Sequence, residues 1–400
     1  MDNPVKNNSR APILDMLRGV ALLGVFVANI AVFSGYVFLP DKKKSLLPTA
    51  ATDVFVDFFH FAFIDGKFYS MFSLLFGIGF SIIISKSRGI LTFYKRLIIL
   101  IAFGLAHIFL LWFGDILLLY ALLGLLLPLF AKASNRTLLL LALVLILSPI
   151  VLDTARTLSN DKFSPESYFY QKGAEKDQEI GLTENTDFVK LVSEADYPKF
   201  KAIMVGGFYY RWGGLIENNR LPKVFALFLL GMMIGRNRWY ENLADKKKLL
   251  LQIRKWCLMI GLPTTLVFAY LSVFNDEEPK IAHAIAYAFS VIPMAFVYIT
   301  SLILWYLKSQ SGLRAFAYVG KMTLTNYILQ SCSAFLLFYG TGMGWFGKMG
   351  STVTLFMAIG IFGIQIILSQ FWLRYFEFGP LEWIWRQLTY GKFIPLRKPD

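Results

Sequence analysis

The feature that most constrains this chain is a series of apolar runs, separated by short polar breaks. A bilayer core about 30 Å thick requires roughly 20 apolar residues in a spanning helix, and the runs are close to that length. We therefore predict an all-α fold, a polytopic bundle of about ten transmembrane helices. The predicted spans are Ile13–Tyr36, Phe68–Ser85, Leu97–Phe113, Ile116–Ala131, Thr137–Leu152, Leu221–Gly235, Trp256–Val273, Ile281–Leu307, Ala315–Tyr339 and Thr352–Leu373.

Composition supports a chain whose main partner is the lipid bilayer. Of the 400 residues 56% are hydrophobic and 16% charged, a balance that a water-soluble globule does not show. The net charge of +14 follows the polar breaks instead of one soluble face, which argues against a nucleic-acid partner. Cys257 and Cys332 both fall in apolar runs, so we predict neither a disulfide framework nor a metal site.

Lys and Arg are concentrated in alternate polar breaks, which predicts the orientation. With both termini in the cytoplasm, the basic segments Lys86–Arg96, Arg236–Lys255 and Lys308–Lys321 lie inside. The acidic residues Asp276, Glu277 and Glu278 then lie outside. We expect a multi-pass protein of the bacterial inner membrane with both ends inside.

Two predicted outer segments divide the chain. Val54–Gly66 is aromatic and too short to span, which predicts an interfacial or re-entrant helix. Residues 153–220 are long and of mixed charge, which favours a partly helical extracytoplasmic cap over a disordered loop. The predicted organisation is a membrane bundle at 1–152, the cap at 153–220, and a second bundle with a cytoplasmic tail at 221–400.

Charged residues within the first span mark a candidate site, because a charge at bilayer depth needs a partner or a watery cavity. Asp15, Arg18 and Asn29 fall on one helical face. Two interpretations stay open. They form an internal ion pair with an interhelical hydrogen bond, or they line a polar groove in which Arg18 binds a phosphate or carboxylate.

The third predicted span carries His107, and Asp115 follows beyond Gly114. A lone histidine on an apolar helix is usually a packing residue. An imidazole with a carboxylate a short distance along the chain can instead act as a general base. His60 and His283 lie near predicted outer boundaries, where solvated interface residues are expected.

Further polar residues lie at or within predicted spans. Thr323, Asn326, Gln330 and Ser333 form a stripe on the ninth span, a pattern that usually connects helices by hydrogen bonds. Lys67 lies at the edge of the second span, where its amine is expected to extend to the surface.

The chain resembles the YeiB-like family of bacterial membrane proteins. The motifs that carry this resemblance are Leu14-Asp15-Met16-Leu17-Arg18-Gly19 with Asn29, Lys67-Phe68, Leu75-Phe76-Gly77, His107, Trp112, Gly114-Asp115-Ile116-Leu117 with Tyr120, Gly320-Lys321-Met322-Thr323-Leu324-Thr325-Asn326-Tyr327 with Gln330, Trp372-Leu373-Arg374-Tyr375-Phe376, Gly379-Pro380-Leu381-Glu382-Trp383 and Trp385-Arg386.

That family is distantly similar to transmembrane acyltransferases of the heparan-alpha-glucosaminide acetyltransferase type, mainly through Asp15-x-x-Arg18-Gly19. Similarity to those acyltransferases implies acyl-CoA as a cytoplasmic donor and a catalytic histidine after the first helix, where this chain has His60. The YeiB-like pattern points instead to His107.

The resulting hypothesis is acyl transfer to an envelope carbohydrate or lipid. Arg18 and the basic inner loops would hold the anionic donor, and His107, oriented by Asp115, would deprotonate the acceptor. A transporter or lipid-handling protein, in which the same polar residues line a path, is the alternative. A structural or sensory membrane protein is the third.

Overall fold

The computed structural model describes residues 11–86, 89–159, 164–183, 186–274 and 280–398, and within these ranges the regular structure is helical. The described exception is an isolated antiparallel bridge between Phe376 and Arg397. The predicted all-α class is confirmed.

Helices of the first half begin at the first predicted span and continue into the cap. They are α1 (Pro12–Phe33), α2 (Asp41–Lys44), α3 (Ala50–Phe59), a π-helical segment (His60–Ile64), α4 (Lys67–Ile84), α5 (Gly89–Leu110), α6 (Leu117–Gly124), a 3-10 turn (Leu127–Phe130), α7 (Asn135–Leu158), α8 (Ser167–Glu179), α9 (Phe188–Glu194) and α10 (Tyr197–Glu217).

Helices of the second half form a hairpin, a broken pair and a long helix before the tail. They are α11 (Arg220–Arg236), α12 (Lys247–Phe274), α13 (Lys280–Lys308), a 3-10 turn (Ser311–Leu313), α14 (Arg314–Lys321), α15 (Thr323–Phe338), α16 (Ser351–Tyr375) and α17 (Pro380–Tyr390).

Seven helical stretches among the described residues are long and apolar enough to cross a membrane. They are α1, the stretch Ala50–Ile84 that contains α3 and α4, and then α5, α7, α12, α13 and α16. The chain is therefore a multi-pass helical membrane protein.

Three predicted spans have a different form. Ile116–Ala131 is the short helix α6 followed by a 3-10 turn, because Gly124 ends the helix and Pro128 prevents its continuation. Leu221–Gly235 is the 17-residue helix α11, which begins at Arg220. The predicted single span Ala315–Tyr339 is wrong, since non-helical backbone at Met322 separates α14 from α15.

Other helix boundaries in the structure also differ from the predicted ones. Val54–Gly66 is part of the longer stretch Ala50–Ile84, in which a π-helical segment and a left-handed Gly66 connect α3 to α4. Helix α5 begins at Gly89, so Arg96 lies within a helix and not in a loop as predicted. Helix α7 continues past the predicted boundary at residue 152 to Leu158.

Glycines allow two helix pairs to pack at backbone contact. A Cβ atom on Gly320 of α14 would lie 1.7 Å from the carbonyl oxygen of Asp15, and one on Gly19 of α1 would lie 1.9 Å from that of Phe316. Gly77 of α4 and Gly231 of α11 form a similar reciprocal contact. Close approach at small residues is typical of membrane helices. Helix α1 is thereby fixed against the broken helix pair.

Between α7 and α11, the described residues form the helices α8, α9 and α10, which pack on the bundle. Val192 of α9 and Phe200 of α10 are buried in one apolar cluster with Phe33 of α1, Trp112 and Phe338 of α15. This cluster places the cap helices beside the end of α5 and the turn that follows it.

Candidate functional site

His107, Asp115 and Ser331 form a buried hydrogen-bonded chain. The Nδ1 atom of His107 lies 2.8 Å from Oδ2 of Asp115, and its Nε2 atom lies 2.8 Å from Oγ of Ser331. The side chains of His107 and Asp115 have no solvent exposure, and Ser331 is 1% exposed. The predicted pairing of His107 with Asp115 is present in the structure, and Ser331 extends it.

The turn between α5 and α6 positions the histidine and the carboxylate. His107 lies in the last turn of α5, and Asp115 precedes α6, where its Oδ1 atom accepts a 2.7 Å hydrogen bond from the backbone N–H of Leu118. Gly104 allows this approach, because a Cβ atom there would lie 2.7 Å from Leu118 N. The carboxylate is thus held by backbone as well as by the imidazole.

Helix α15 contributes the other side of the site. Tyr327 lies one turn before Ser331, and its ring centroid is 5.2 Å from that of His107. The phenol oxygen accepts a hydrogen bond of 3.3 Å from the backbone N–H of Ile116. Tyr327 and Ser331 therefore present one face of α15 to the turn that carries Asp115.

A cavity of about 300 Å³ extends from this region to a cluster of cations. Tyr327, Tyr120 and Ile116 line it together with Arg18, Arg96, Lys321 and Arg386, and we call it the arginine cavity. The guanidinium of Arg96 stacks 4.0 Å from the ring centroid of Trp385. Much of the remaining wall is apolar. Its cationic part suits an anion, and its apolar part suits hydrocarbon.

The predicted Asp15–Arg18 ion pair is present, with Nη1 of Arg18 2.9 Å from Oδ1 of Asp15. Asp15 is 1% exposed, whereas the Arg18 side chain is 28% exposed and lines the arginine cavity. Asn29 lies on the same helix, but it is not among the described residues that line the arginine cavity. Of these three residues only Arg18 is among the described lining of the arginine cavity.

A second cavity, of about 380 Å³, lies under the cap, and we call it the cap cavity. Its lining includes Phe113, Asp177, Tyr210, Arg211 and Arg220. The charge of Arg211 interacts with the carboxylate of Asp115. Burial raises the pKa of the Asp177 carboxyl, while a 2.8 Å hydrogen bond from Tyr210 acts in the opposite direction. This cavity adjoins the histidine site through Phe113 and Arg211.

The predicted polar stripe of α15 connects helices. The amide of Asn326 donates to Oγ of Ser369 at 2.9 Å, and the amide of Gln330 donates to Oε1 of Gln365 at 3.0 Å. The hydroxyl of Thr323 donates to the Gly320 carbonyl, and Thr323 also lines the arginine cavity. Asn326 and Gln330 join α15 to α16 and lie outside the His107 site.

A carboxylate from the tail caps the N-terminus of α15. Oε1 of Glu382 accepts hydrogen bonds from the backbone N–H groups of Leu324 and Thr325, and Oε2 accepts one from the Thr325 hydroxyl. Burial raises the pKa of the Glu382 carboxyl, and these hydrogen bonds oppose the rise. Helix α17 is therefore tied to the break between α14 and α15.

Lys67 and His60 lie away from the His107 site. The expectation that Lys67 extends to the surface is wrong: it is fully buried, and its amine donates a 2.7 Å hydrogen bond to the Phe61 carbonyl. That carbonyl belongs to the π-helical segment, which has an altered hydrogen-bond pattern. His60 lies in the same segment, beside Phe61. No group of three or more metal-ligating side chains is found in the described parts of the chain.

Sequence reasoning missed Ser331, Arg96 and Arg386 as site residues. The available signal for Ser331 was its position one turn after Tyr327, on the helical face next to the predicted stripe. Arg96 directly precedes an apolar run, a position for which the sequence predicts the end of a loop. Only the packing of α5, α15 and α17 brings these residues together.

The fold and this site define a multi-pass helical membrane protein with a buried Asp–His–Ser chain, whose neighbours Tyr327 and Phe113 line two cation-lined cavities. The chain belongs to the YeiB-like family of bacterial membrane proteins. It is 30% identical to the uncharacterized protein YxaH of Bacillus subtilis (strain 168), over 99% of this chain and 98% of that protein. It is 28% identical to the uncharacterized protein YeiB of Escherichia coli (strain K12), over 94% and 95% of the two chains.

Other comparisons agree with this membership. The family model described as "Protein of unknown function (DUF418)" matches residues 234–392. The uncharacterized 39.9 kDa protein in the amylase 3'region of Bacillus acidopullulyticus is 27% identical, over 98% of each chain. No solved structure gives a significant match.

Proposed function

We propose that this protein transfers an acyl group from a cytoplasmic acyl-CoA to a hydroxyl or amine of an envelope carbohydrate or lipid. It would act in the bacterial inner membrane, with both termini inside; this orientation takes the shorter helices α6, α11 and α15 to cross the membrane together with the seven long stretches. The observation that carries the proposal is that neighbours of the His107–Asp115 pair line both cavities: Ile116 and Tyr327 line the arginine cavity, and Phe113 lines the cap cavity. A base at this position is near both a space for an anionic donor and a space for an acceptor.

The arginine cavity is suited to the donor. A coenzyme A thioester carries several phosphates, and one guanidinium group can donate two parallel hydrogen bonds to the oxygens of a phosphate. Arg18, Arg96 and Arg386 line the cavity together with Lys321. Its apolar wall then continues to Tyr120 and Tyr327, so the thioester carbonyl would approach the histidine from this side.

His107 has the hydrogen bonds of a general base. An ionised Asp115 can only accept hydrogen bonds, so Nδ1 of His107 carries a proton and Nε2 is free to accept one. In the reaction, Nε2 would take the proton of a nucleophile as that nucleophile attacks the thioester carbonyl. The thiolate of coenzyme A would leave and take the proton back from the imidazolium, which Asp115 stabilises meanwhile.

The cap cavity is suited to the acceptor. Phe113 lies between Trp112 and Gly114 on the turn that carries Asp115, and Arg211 and Arg220 add positive charge. An acceptor whose hydroxyl or amine entered from this cavity would approach the turn that carries Asp115, next to His107.

The proposal is tested with inside-out membrane vesicles that contain the protein and are supplied with acetyl-CoA or palmitoyl-CoA labelled in the acyl group. We expect release of coenzyme A thiol, and label in ester or amide linkage in vesicle material. A transporter would leave the label as intact thioester inside the vesicles, which would overturn the proposal. Absence of both thiol release and label incorporation would also refute it.

A charge variant tests the donor site in the same vesicles. Arg386→Gln removes a cation of the arginine cavity, and we expect the KM for the donor to rise about tenfold, since a hydrogen bond to a charged group contributes about 1.5–3 kcal/mol. Arg374→Gln is the matched control, because Arg374 is exposed and lies outside the described lining of the arginine cavity. Equal KM values for the two variants would show that the donor does not bind in this cavity.

A further inference from the structure

The hydroxyl of Ser331 continues the chain that begins at Asp115. Its Oγ atom lies 2.8 Å from Nε2 of His107, while Nδ1 of the same ring lies 2.8 Å from Asp115. We infer that Ser331 is a nucleophile that receives the acyl group from the donor before the acceptor takes it. The inference rests on the proposed function and makes it a two-step reaction with a covalent acyl-serine.

The direction of the hydrogen bonds supports this assignment. Asp115 accepts from Leu118 N through Oδ1 and from the His107 ring through Oδ2. With the Nδ1 proton directed at the carboxylate, Nε2 is the acceptor and the Ser331 hydroxyl is the donor. This is the order of groups that activates serine in hydrolases of unrelated folds.

Two other helical serines of this chain donate to their own helix, and so does Ser272, although its Oγ atom also lies 3.2 Å from Nε2 of His283. Ser333, on the same helix, donates to the Leu329 carbonyl at 2.8 Å, and Ser70 donates to the Gly66 carbonyl at 2.8 Å. Such a bond to the preceding turn is the usual local partner of a helical serine. Ser331 is directed at an imidazole of another helix, so its hydroxyl is placed by the packing of α5 against α15.

The surroundings of Ser331 fit an acyl group. Ile328 and Phe335, one turn to either side on α15, line an apolar groove of about 550 Å³ together with His107, Phe103 and Leu110. Tyr327 lines the arginine cavity on the neighbouring helical face. A thioester with its anionic part in the arginine cavity and its chain in the apolar groove would therefore have its carbonyl beside Ser331.

Burial protects the intermediate. Ser331 is 1% exposed and His107 is 2% exposed, so water has little access to an ester formed there. The indole Nε1 of Trp112 is buried and makes no hydrogen bond among the described residues, and its ring centroid lies 6.4 Å from that of His107. A buried N–H donor of this kind can stabilise the oxyanion of a tetrahedral intermediate.

The acyl group is transferred in two steps, acylation of Ser331 and then its deacylation by the acceptor. In the first, Ser331 Oγ loses its proton to His107 Nε2 and attacks the thioester carbonyl. The C–S bond breaks, and the coenzyme A thiolate leaves with the proton from the imidazolium. In the second, the acceptor hydroxyl or amine loses its proton to His107 and attacks the acyl-serine, and the C–O bond to Ser331 breaks. Oγ recovers its proton from His107.

The test uses the purified full chain and an alkyl fluorophosphonate that carries a detectable tag. An activated serine displaces fluoride and becomes covalently labelled, with neither donor nor acceptor present. We expect one labelled peptide, containing Ser331. Labelling should be lost in Ser331→Ala and His107→Gln and kept in Ser333→Ala, the matched control on the same helix.

Coenzyme A thiol release from acyl-CoA, measured in parallel, separates this inference from the proposed function. A wild-type protein that releases thiol but is not labelled at Ser331 would overturn the acyl-serine and leave transfer by His107 in place. Thiol release by Ser331→Ala at the wild-type rate would do the same. A wild-type protein that shows neither labelling nor release would refute both.

Discussion

Replacing Gly320 by alanine is expected to force α1 and α14 apart. The added Cβ atom would lie 1.7 Å from the Asp15 carbonyl oxygen and 2.7 Å from its carbonyl carbon, which are backbone atoms and cannot rotate away. A normal carbon–oxygen contact is about 3.3 Å, so the helices must separate by roughly 1.6 Å. Overpacking of this kind costs about 1–3 kcal/mol or more, which exceeds the gain of about 1 kcal/mol in helix propensity.

The prediction is measured as the thermal unfolding midpoint of the purified protein in detergent. The net cost is up to about 2 kcal/mol, so at about 2 °C per kcal/mol for a large chain Gly320→Ala should lower Tm by up to about 4 °C. Gly360→Ala on α16 is the matched control, since a Cβ atom there meets nothing within 4 Å. Its Tm should stay level or rise. If both variants unfold at the wild-type temperature, α1 and α14 do not cross at Gly320.

Further predictions concern the ion pair and the orientation. Arg18→Ala removes the 2.9 Å ion-pair partner of the buried Asp15 carboxylate and should reduce accumulation in the membrane, as measured by immunoblot. Because the Arg18 side chain is 28% exposed, we expect a cost below the about 3–5 kcal/mol of a fully buried pair. Adding Asp15→Asn should restore accumulation. If it does not, the unpaired charge of Asp15 is not the cause of the loss. Reporter fusions after Gly181 should report outside and fusions after Lys247 inside; a cytoplasmic signal at Gly181 would reverse the predicted orientation.

The helical class and the seven long apolar helices could be predicted from the sequence, because hydropathy over about 20 residues is a local property. The broken helix α14–α15 could not. Met322 lies inside the predicted span Ala315–Tyr339. The start of α15 is capped by Glu382, which lies 58 residues after Leu324 and 57 after Thr325, so the sequence near the break does not show this contact. The end of the short helix α6 at Gly124 could not be predicted either, because it falls within the apolar run Ile116–Ala131.

Part of the candidate site was predictable for a similar reason. His107 and Asp115 are eight residues apart, so a chain turn alone could bring them together. Ser331 is 224 residues from His107, and its role depends on which face of α15 meets α5. Periodicity identified a polar stripe on α15, but that face packs against Gln365 and Ser369 of α16. The face that meets His107 is the adjacent one, where Tyr327 and Ser331 lie.

Proton transfer by His107 is tested most directly by the rate of coenzyme A thiol release in His107→Gln and Asp115→Asn. Glutamine is similar in size to histidine and can hydrogen-bond to Asp115 and Ser331, so it preserves packing but cannot act as a base. We expect His107→Gln to accumulate normally and to lose at least about 100-fold in kcat, and Asp115→Asn to lose less. Wild-type turnover by His107→Gln would contradict the account.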